Sequence, residues 1–224
     1  MREMTVFTHR RPHDTTATLE RLAEQAAASG VTLRLDEEET LKHHLSARPG
    51  LEVDVPVKDE VELCIVLGGD GTILRALQRY AGTEVPVFAI NFGEIGFLAT
   101  VERTDTEGGI RRALSGDFEL LALPGIVLDE LPAESGSPPG SAAAPTRSAE
   151  TGLRAAINDV AIHRKVGERV AELAYALEGE EVGSVRCDGL VVATPAGSTG
   201  YNLANGGPVM AWGCLLYTSP SPRD

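Results

Sequence analysis

The run Val61–Leu67 is apolar throughout except for Glu62, and it stops abruptly at Gly68-Gly69-Asp70-Gly71-Thr72. An uninterrupted apolar run of this length, closed by glycines, reads as a strand covered on both faces, as in the interior of a parallel sheet. Behind the turn, Ile73, Leu74, Leu77 and Tyr80 recur at helical spacing, with Thr72 as a natural N-cap and Gly82 closing the pattern. A second apolar run, Val85–Ile90, follows. Strand, tight turn, helix and strand in that order demand an α/β layer with parallel pairing.

The flanking segments agree. Thr5–Thr8 is a short β-prone run, and Asp14-Thr15-Thr16 offers caps for a helix. The apolar face of that helix is Leu19, Leu22, Ala23 and Ala26, and Gly30 ends it. Val31–Leu35 alternates as a strand; residues 36–60 are charged and irregular; residues 107–115 suit one more short helix, ended near Gly116. The texture then changes. Ala155–His163, Val170–Leu177 and Gly189–Thr194 are short runs between turn signals, an all-β rhythm.

The expected fold is therefore an α/β N-terminal domain with a Rossmann-like parallel sheet, residues 1–116. A mostly β, sandwich-like C-terminal domain, residues 117–213, should follow, with a Pro-, Ser- and Ala-rich flexible insertion at 132–150.

Charge and composition remove several function classes. The net charge is −13, and no basic stripe offsets it, which argues against a nucleic acid partner. No apolar run approaches the roughly 18–20 residues that a membrane helix needs, and the N-terminus lacks an apolar signal region. Membrane association is not expected, and a cytoplasmic location is. Cys64, Cys187 and Cys214 have no metal-ligand spacing and suit a reducing compartment. Cys64 lies within the apolar run and reads as core. His43 and His44 are adjacent and cannot share a helix face as zinc ligands would.

Three segments carry chemistry. In Gly68–Thr72 the glycines admit close approach to the backbone, and the helix start directs unpaired N–H groups at an anion, which suits phosphate. Asp70 inside that turn could hold a divalent cation, accept a proton from an attacking hydroxyl, or simply cap the helix. The turn is neither a Walker A loop nor the dinucleotide Gly-x-Gly-x-x-Gly fingerprint. Asn158-Asp159 could bind sugar hydroxyls or an amide-bearing ring, or serve as a turn. The stretch Cys187–Asn202 runs from an apolar strand into a small-residue loop with hydroxyls and one Tyr, able to wrap a nucleotide or to form an ordinary turn.

Together these segments resemble the NAD kinases, ATP-dependent enzymes that phosphorylate NAD to NADP. The resemblance runs from about residue 61 to Gly213, with a weaker match before it. Its motifs are Gly-Gly-Asp-Gly-Thr at 68–72, Asn91–Leu98, Asn158-Asp159, and Asp188–Pro208 including Asn205-Gly206-Gly207-Pro208. The first is shared with diacylglycerol and sphingosine kinases; the last, in this order, is the specific one.

The resemblance implies a role for each matching residue. Asp70 would be the general base toward the adenosine ribose 2′-hydroxyl, with Gly71 beside the dinucleotide and Arg75 on a phosphate. Asn158 and Asp159 would bind ribose and adenosine, Arg169 and Arg186 further nucleotide groups, and Asp188 the nicotinamide end. Thr199, Gly200, Tyr201, Asn202, Leu203 and Ala204 would line the adenine pocket. The substrates implied are NAD and ATP, or polyphosphate as donor, with a divalent cation such as Mg²⁺; a homo-oligomer is the family expectation.

Two departures stand out. Leu121–Gly125 replaces a common Glu-Arg pair. After Gly213 the family continues through further strands, whereas residues 214–224 read like translated adapter or vector sequence, so a truncated β domain is expected. Two other function classes stay open at this stage. A lipid kinase would share the Gly68–Thr72 turn, but no amphipathic membrane helix supports it. An inactive nucleotide-binding fragment would bind NAD without turnover.

Overall fold

The computed structural model describes residues 2–93, 96–128, 154–167, 170–177, 179–212 and 217–220. The chain divides into two compact units, 1–121 and 122–224. The insertion expected at 132–150 lies outside the described residues.

The first unit is a doubly wound α/β layer. Its strands are β1 (Arg2–Thr8), β2 (Val31–Arg34), β3 (Leu51–Glu52), β4 (Leu63–Gly68) and β5 (Val87–Asn91), in the order β3-β2-β1-β4-β5. Every pairing is parallel. The helices are α1 (Thr16–Ala28), α2 (Glu37–His43), α3 (Asp70–Arg79) and α4 (Thr106–Ser115).

The alternation of side chains along β4 explains the two faces. Leu63, Ile65 and Leu67 join a core with Leu19, Leu22 and Ala26 of α1 and Ile110 and Ala113 of α4. Cys64 and Val66 point the other way, onto Ile73 and Ala76 of α3 and Tyr80 at its C-cap. Each fully buried Leu or Ile removes enough apolar surface for about 1.5–3 kcal/mol. A run apolar at every position is what a strand between two helical layers requires.

Local signals account for the element ends. Gly30 and Gly116 adopt positive φ after α1 and α4, where a Cβ would be strained. Thr72 is not the N-cap of α3: the helix begins at Asp70, and Gly69 occupies the cap position. Thr72 instead packs against Gly68, where an added Cβ would lie 2.7 Å from its side chain. The charged segment after residue 35 is less irregular than its composition suggests. Asp36 accepts the Glu39 N–H at 2.8 Å and starts α2, and three acidic residues in its first turn favour the positive end of the helix dipole.

The second unit is antiparallel. Strands β6 (Ile126–Leu128) and β7 (Arg154–Ala156) pair, as do β9 (Ala171–Leu177) and β10 (Glu180–Cys187). A three-stranded sheet has the order β12-β11-β8, from β8 (Asp159–His163), β11 (Gly189–Ala193) and β12 (Tyr217–Pro220). Residues 217–220, expected to be foreign to the fold, pair with β11 from Ala193 to Leu190.

Candidate functional site

In the sheet of the first unit, chain direction reverses sides between β1 and β4, which lie side by side with Thr8 opposite Leu67. Ligands of open α/β sheets bind at such a switch point, beyond the carboxyl ends of the strands. The Gly68–Thr72 turn emerges there. Gly69 has an extended backbone, and a Cβ on it would come 3.2 Å from the Gly93 Cα, so its lack of a side chain lets two loops meet. Gly71 is exposed, with nothing within 4 Å of the position its Cβ would take.

Asp70 is the first residue of α3, yet it does not cap its own helix. Its carboxylate accepts the Phe97 N–H on both oxygens, at 3.2 and 3.1 Å, and the Leu98 N–H on Oδ1 at 3.2 Å. Oδ1 thus takes two donors and Oδ2 one. A carboxylate oxygen offers about two lone-pair sites, so Oδ2 retains a position for an incoming proton. Phe97 and Leu98 belong to the Asn91–Leu98 motif; their role is carried by backbone N–H groups, which side-chain identity does not reveal.

Arg75 stands on the face of α3 that carries Gly71, one turn nearer the C-terminus. Its guanidinium donates to Glu38 Oε1 and Glu39 Oε1, each at 2.8 Å, and lies 5.0 Å over the Phe7 ring. Burial works against its charge, but the two carboxylates prevail and hold its pKa above the ordinary value. In return the Arg75 guanidinium holds Glu38 below the usual carboxylate range.

Glu39 is fully buried and richly bonded. Oε1 also accepts from the Thr8 N–H at 3.1 Å and Lys42 Nζ at 2.9 Å, and Oε2 accepts from Thr8 Oγ1 at 2.6 Å. Because the Thr8 hydroxyl donates to Glu39, it accepts from His43 Nε2 at 2.7 Å, which assigns the ring proton to Nε2. The other ring nitrogen lies 2.8 Å from Thr16 Oγ1, and burial pushes the His43 pKa down. Sequence reasoning missed Thr8 and Glu39; the Asp36-x-x-Glu39 spacing was the available signal for a helix start.

In the second unit the Asn158-Asp159 pair sits at the start of β8 against the segment that follows β11. The Asn158 carbonyl accepts the Thr194 N–H at 2.8 Å and the Thr194 hydroxyl at 3.1 Å. A Cβ on Gly197 would fall 2.0 Å from that carbonyl oxygen, so only glycine permits the approach. Asn158 Oδ1 is buried without a hydrogen-bond partner, an acceptor free to receive a ligand donor. Asp159 is half-buried, and desolvation raises its pKa.

The segment expected to be a loop is helical: Ser198–Asn202 forms a turn kinked at Gly200, and helix continues through Leu203 and Ala204. Buried hydroxyls and amides hold it. Ser198 Oγ donates to the Pro195 carbonyl at 2.7 Å. Asn202 Nδ2 donates to the Ser198 and Pro208 carbonyls at 3.2 and 2.9 Å. Asn202 is thus a strut within the segment, whereas Gly200, Tyr201, Leu203 and Ala204 are exposed and Thr199 is partly so.

Asp188 accepts Arg164 Nε at 2.9 Å, Arg186 is exposed on β10, and Arg169 lies outside the described residues. Among the described residues, no three His, Cys, Asp or Glu side chains form a group that could hold a metal ion. None of the described helices is long and apolar enough to cross a membrane.

With this geometry in hand, comparison with known proteins is specific. The family model for the ATP-NAD kinase N-terminal domain matches residues 14–118, and that for the ATP-NAD kinase C-terminal domain matches residues 157–213. The NAD kinase of Gemmatimonas aurantiaca is 34% identical over 209 residues, covering 92% of this chain and 66% of the relative. That of Leifsonia xyli subsp. xyli is 35% identical over 219 residues, covering 93% and 66%.

Two solved structures share the fold. Yeast NADH kinase complexed with NADH superposes with a TM-score of 0.75 at 20% identity, covering 100% of this chain and 67% of that one. An NAD kinase from Archaeoglobus fulgidus in complex with ATP gives 0.59 at 25% identity, covering 99% and 72%. The fold and the motifs are thus those of a family of kinases. The chain belongs to the ATP-NAD kinase family, and it spans just under two thirds, 66%, of the length of the two bacterial relatives named.

Proposed function

We propose that this chain transfers the γ-phosphoryl group of ATP to the 2′-hydroxyl of the adenosine ribose of NAD, giving NADP and ADP. The observation that carries the reading is the Asp70 carboxylate, held by three backbone N–H bonds at the amino end of α3 with Oδ2 open to one more partner. A secondary alcohol is hardly ionised at neutral pH. Its proton passes to Asp70 Oδ2 as the 2′-oxygen bonds to the γ-phosphorus and the bond to the bridging oxygen of ADP breaks. Such general-base assistance is worth about 10²–10⁴-fold, and orientation and charge neutralisation supply the rest.

Phosphate is favoured beside Gly69–Gly71 by the helix N-terminus and the open backbone at Gly71. Asn158 and Asp159 bind the ribose and adenosine in this reading, through the free acceptor Oδ1 of Asn158 and the Asp159 carboxyl. Thr199, Gly200, Tyr201, Leu203 and Ala204 line the adenine, Asn202 supports them from within, and Asp188, Arg169 and Arg186 are further nucleotide contacts. A divalent cation such as Mg²⁺ enters with the ATP substrate and offsets the charge of its phosphates.

A cytoplasmic location completes the proposal, with a homo-oligomer for the full-length family member; the buried free thiols Cys64 and Cys187 are compatible with a reducing compartment. The test is NADP formation from NAD, ATP and magnesium by this chain and by Asp70→Asn. Turnover that falls by two or more orders of magnitude on substitution supports the reading. Turnover unaffected by it removes Asp70 from the chemistry, and phosphorylation of vesicle-borne diacylglycerol in place of NAD would transfer the chain to the lipid kinases.

A further inference from the structure

Arg75 is gripped by two carboxylates of the same helix that differ in every respect except distance. Glu39 is fully buried, and its oxygens also serve Thr8 and Lys42; withdrawing it would strand all of these groups. The Glu38 side chain is 62% exposed and, among the described residues, pairs with Arg75 and, at 3.6 Å, Lys42. Released into water, it loses little, because exposed ion pairs contribute little.

The place of this pair matters. Glu39 binds the backbone N–H of Thr8, Thr8 pairs with Leu67, and Leu67 precedes the Gly68–Thr72 turn. The guanidinium is therefore near the carboxyl ends of β1 and β4, from which the Gly68–Thr72 turn emerges. Helical side chains lean toward the N-terminus, which carries Arg75 over the Gly71 turn.

We propose that Arg75, which the resemblance puts on a phosphate, has divided duties: Glu39 is a positioning residue that holds one guanidinium nitrogen, and Glu38 occupies the place of a nucleotide phosphate on the other. An arriving phosphate displaces Glu38 and leaves Glu39 in place. Phosphate brings more charge than a carboxylate and matches the guanidinium fork, so the exchange is favourable. This inference deepens the kinase reading and rests on it for the identity of the nucleotide, but not for the exchange itself.

The opposite signs of the two glutamates provide the test. Binding of ATP, NAD and inorganic tripolyphosphate, each alone, is measured by calorimetry on the full chain. Glu38→Gln is expected to tighten binding about 2- to 5-fold, and Glu39→Gln to weaken it about 10-fold or more. In an Arg75→Ala background the effect of Glu38→Gln should vanish. An effect confined to ATP and tripolyphosphate assigns the phosphate to the donor, and one confined to NAD assigns it to the dinucleotide. Unchanged or weaker binding by Glu38→Gln overturns the proposal, even if Glu39→Gln fails to fold. So does tightening that survives loss of Arg75, or no phosphate binding by the wild type. Binding with the expected signs but no NADP formation would sustain the exchange and remove the kinase reading alone.

Discussion

Phe97 donates its backbone N–H to both carboxylate oxygens of Asp70, at 3.2 and 3.1 Å, although the residue is 63% exposed. The chain thus aims a candidate base with a group that no side-chain substitution removes, save one. Phe97→Pro deletes the N–H, whereas Phe97→Ala keeps it. A hydrogen bond to a charged group is worth about 1.5–3 kcal/mol. Phe97→Pro is therefore expected to lower kcat by about 10- to 100-fold, read as NADP formation. Phe97→Ala should hold kcat near wild type. Equal losses in both would assign the effect to the ring.

Two glycines should respond in opposite ways. Gly71→Ala has free space and a helical backbone, so stability should rise by about 0.5–1 kcal/mol while the KM for nucleotide increases, because the new methyl stands on the open face. Gly197→Ala would set a Cβ 2.0 Å from the Asn158 carbonyl oxygen. Separation of that carbonyl from Thr194 should cost about 2 kcal/mol or more. Thermal unfolding and hydrogen exchange of residues 189–204 read both, and a neutral Gly197→Ala would mean that the approach is looser than described.

Tyr80 should make the first unit sensitive to alkali. Its hydroxyl donates to Thr5 Oγ1 at 2.9 Å, and burial pushes its pKa up to about 12. An unfolded phenol titrates near 10. The fold therefore favours the protonated form, and its contribution is complete below about pH 10 and declines as pH rises toward 12. The decline amounts to about 2–3 kcal/mol. Urea unfolding between pH 9 and 12 should show a steeper loss for wild type than for Tyr80→Phe; parallel curves would exclude Tyr80 as the source.

The pair of Arg164 with Asp188 separates ligand binding from stability. The two side chains are 38% and 45% exposed, so the pair contributes about 0–1 kcal/mol to folding. Asp188→Ala should shift Tm by only a few degrees, on the order of 5 °C or less, yet raise the KM for NAD. A larger fall in Tm with an unchanged KM would recast Asp188 as structural.

The α/β architecture was legible because its signals are local. The apolar run of β4, the glycine turn and the spacing of Ile73, Leu77 and Tyr80 each depend on neighbours in the chain. The start of α2 was also encoded locally, in Asp36 and three glutamates, but their charge disguised a helix as irregular chain. The partners of Asp70 were not legible, since they are main-chain groups brought from residues 97 and 98 by a loop. Nor was the inward turn of Glu39: nothing in a run of glutamates indicates which one faces Thr8. The helical turn at Ser198–Asn202 was concealed by glycines and hydroxyls that read as loop, and tertiary bonds from Asn202 and Ser198 override that preference.

The position of β1 also governs the order in which the chain can assemble. Of the five strands of this sheet, β1 comes earliest in the sequence yet lies in the middle, bonded to β2 on one edge and to β4 on the other. The β1-α1-β2 crossover unit can close early, because its contacts are near in sequence. The second edge of β1 waits until α1, β2, α2 and β3 have all been synthesised and β4 arrives. During that interval a strand with five consecutive buried positions offers an open edge, the kind of surface that chaperones cover and that pairs wrongly when a nascent chain stalls.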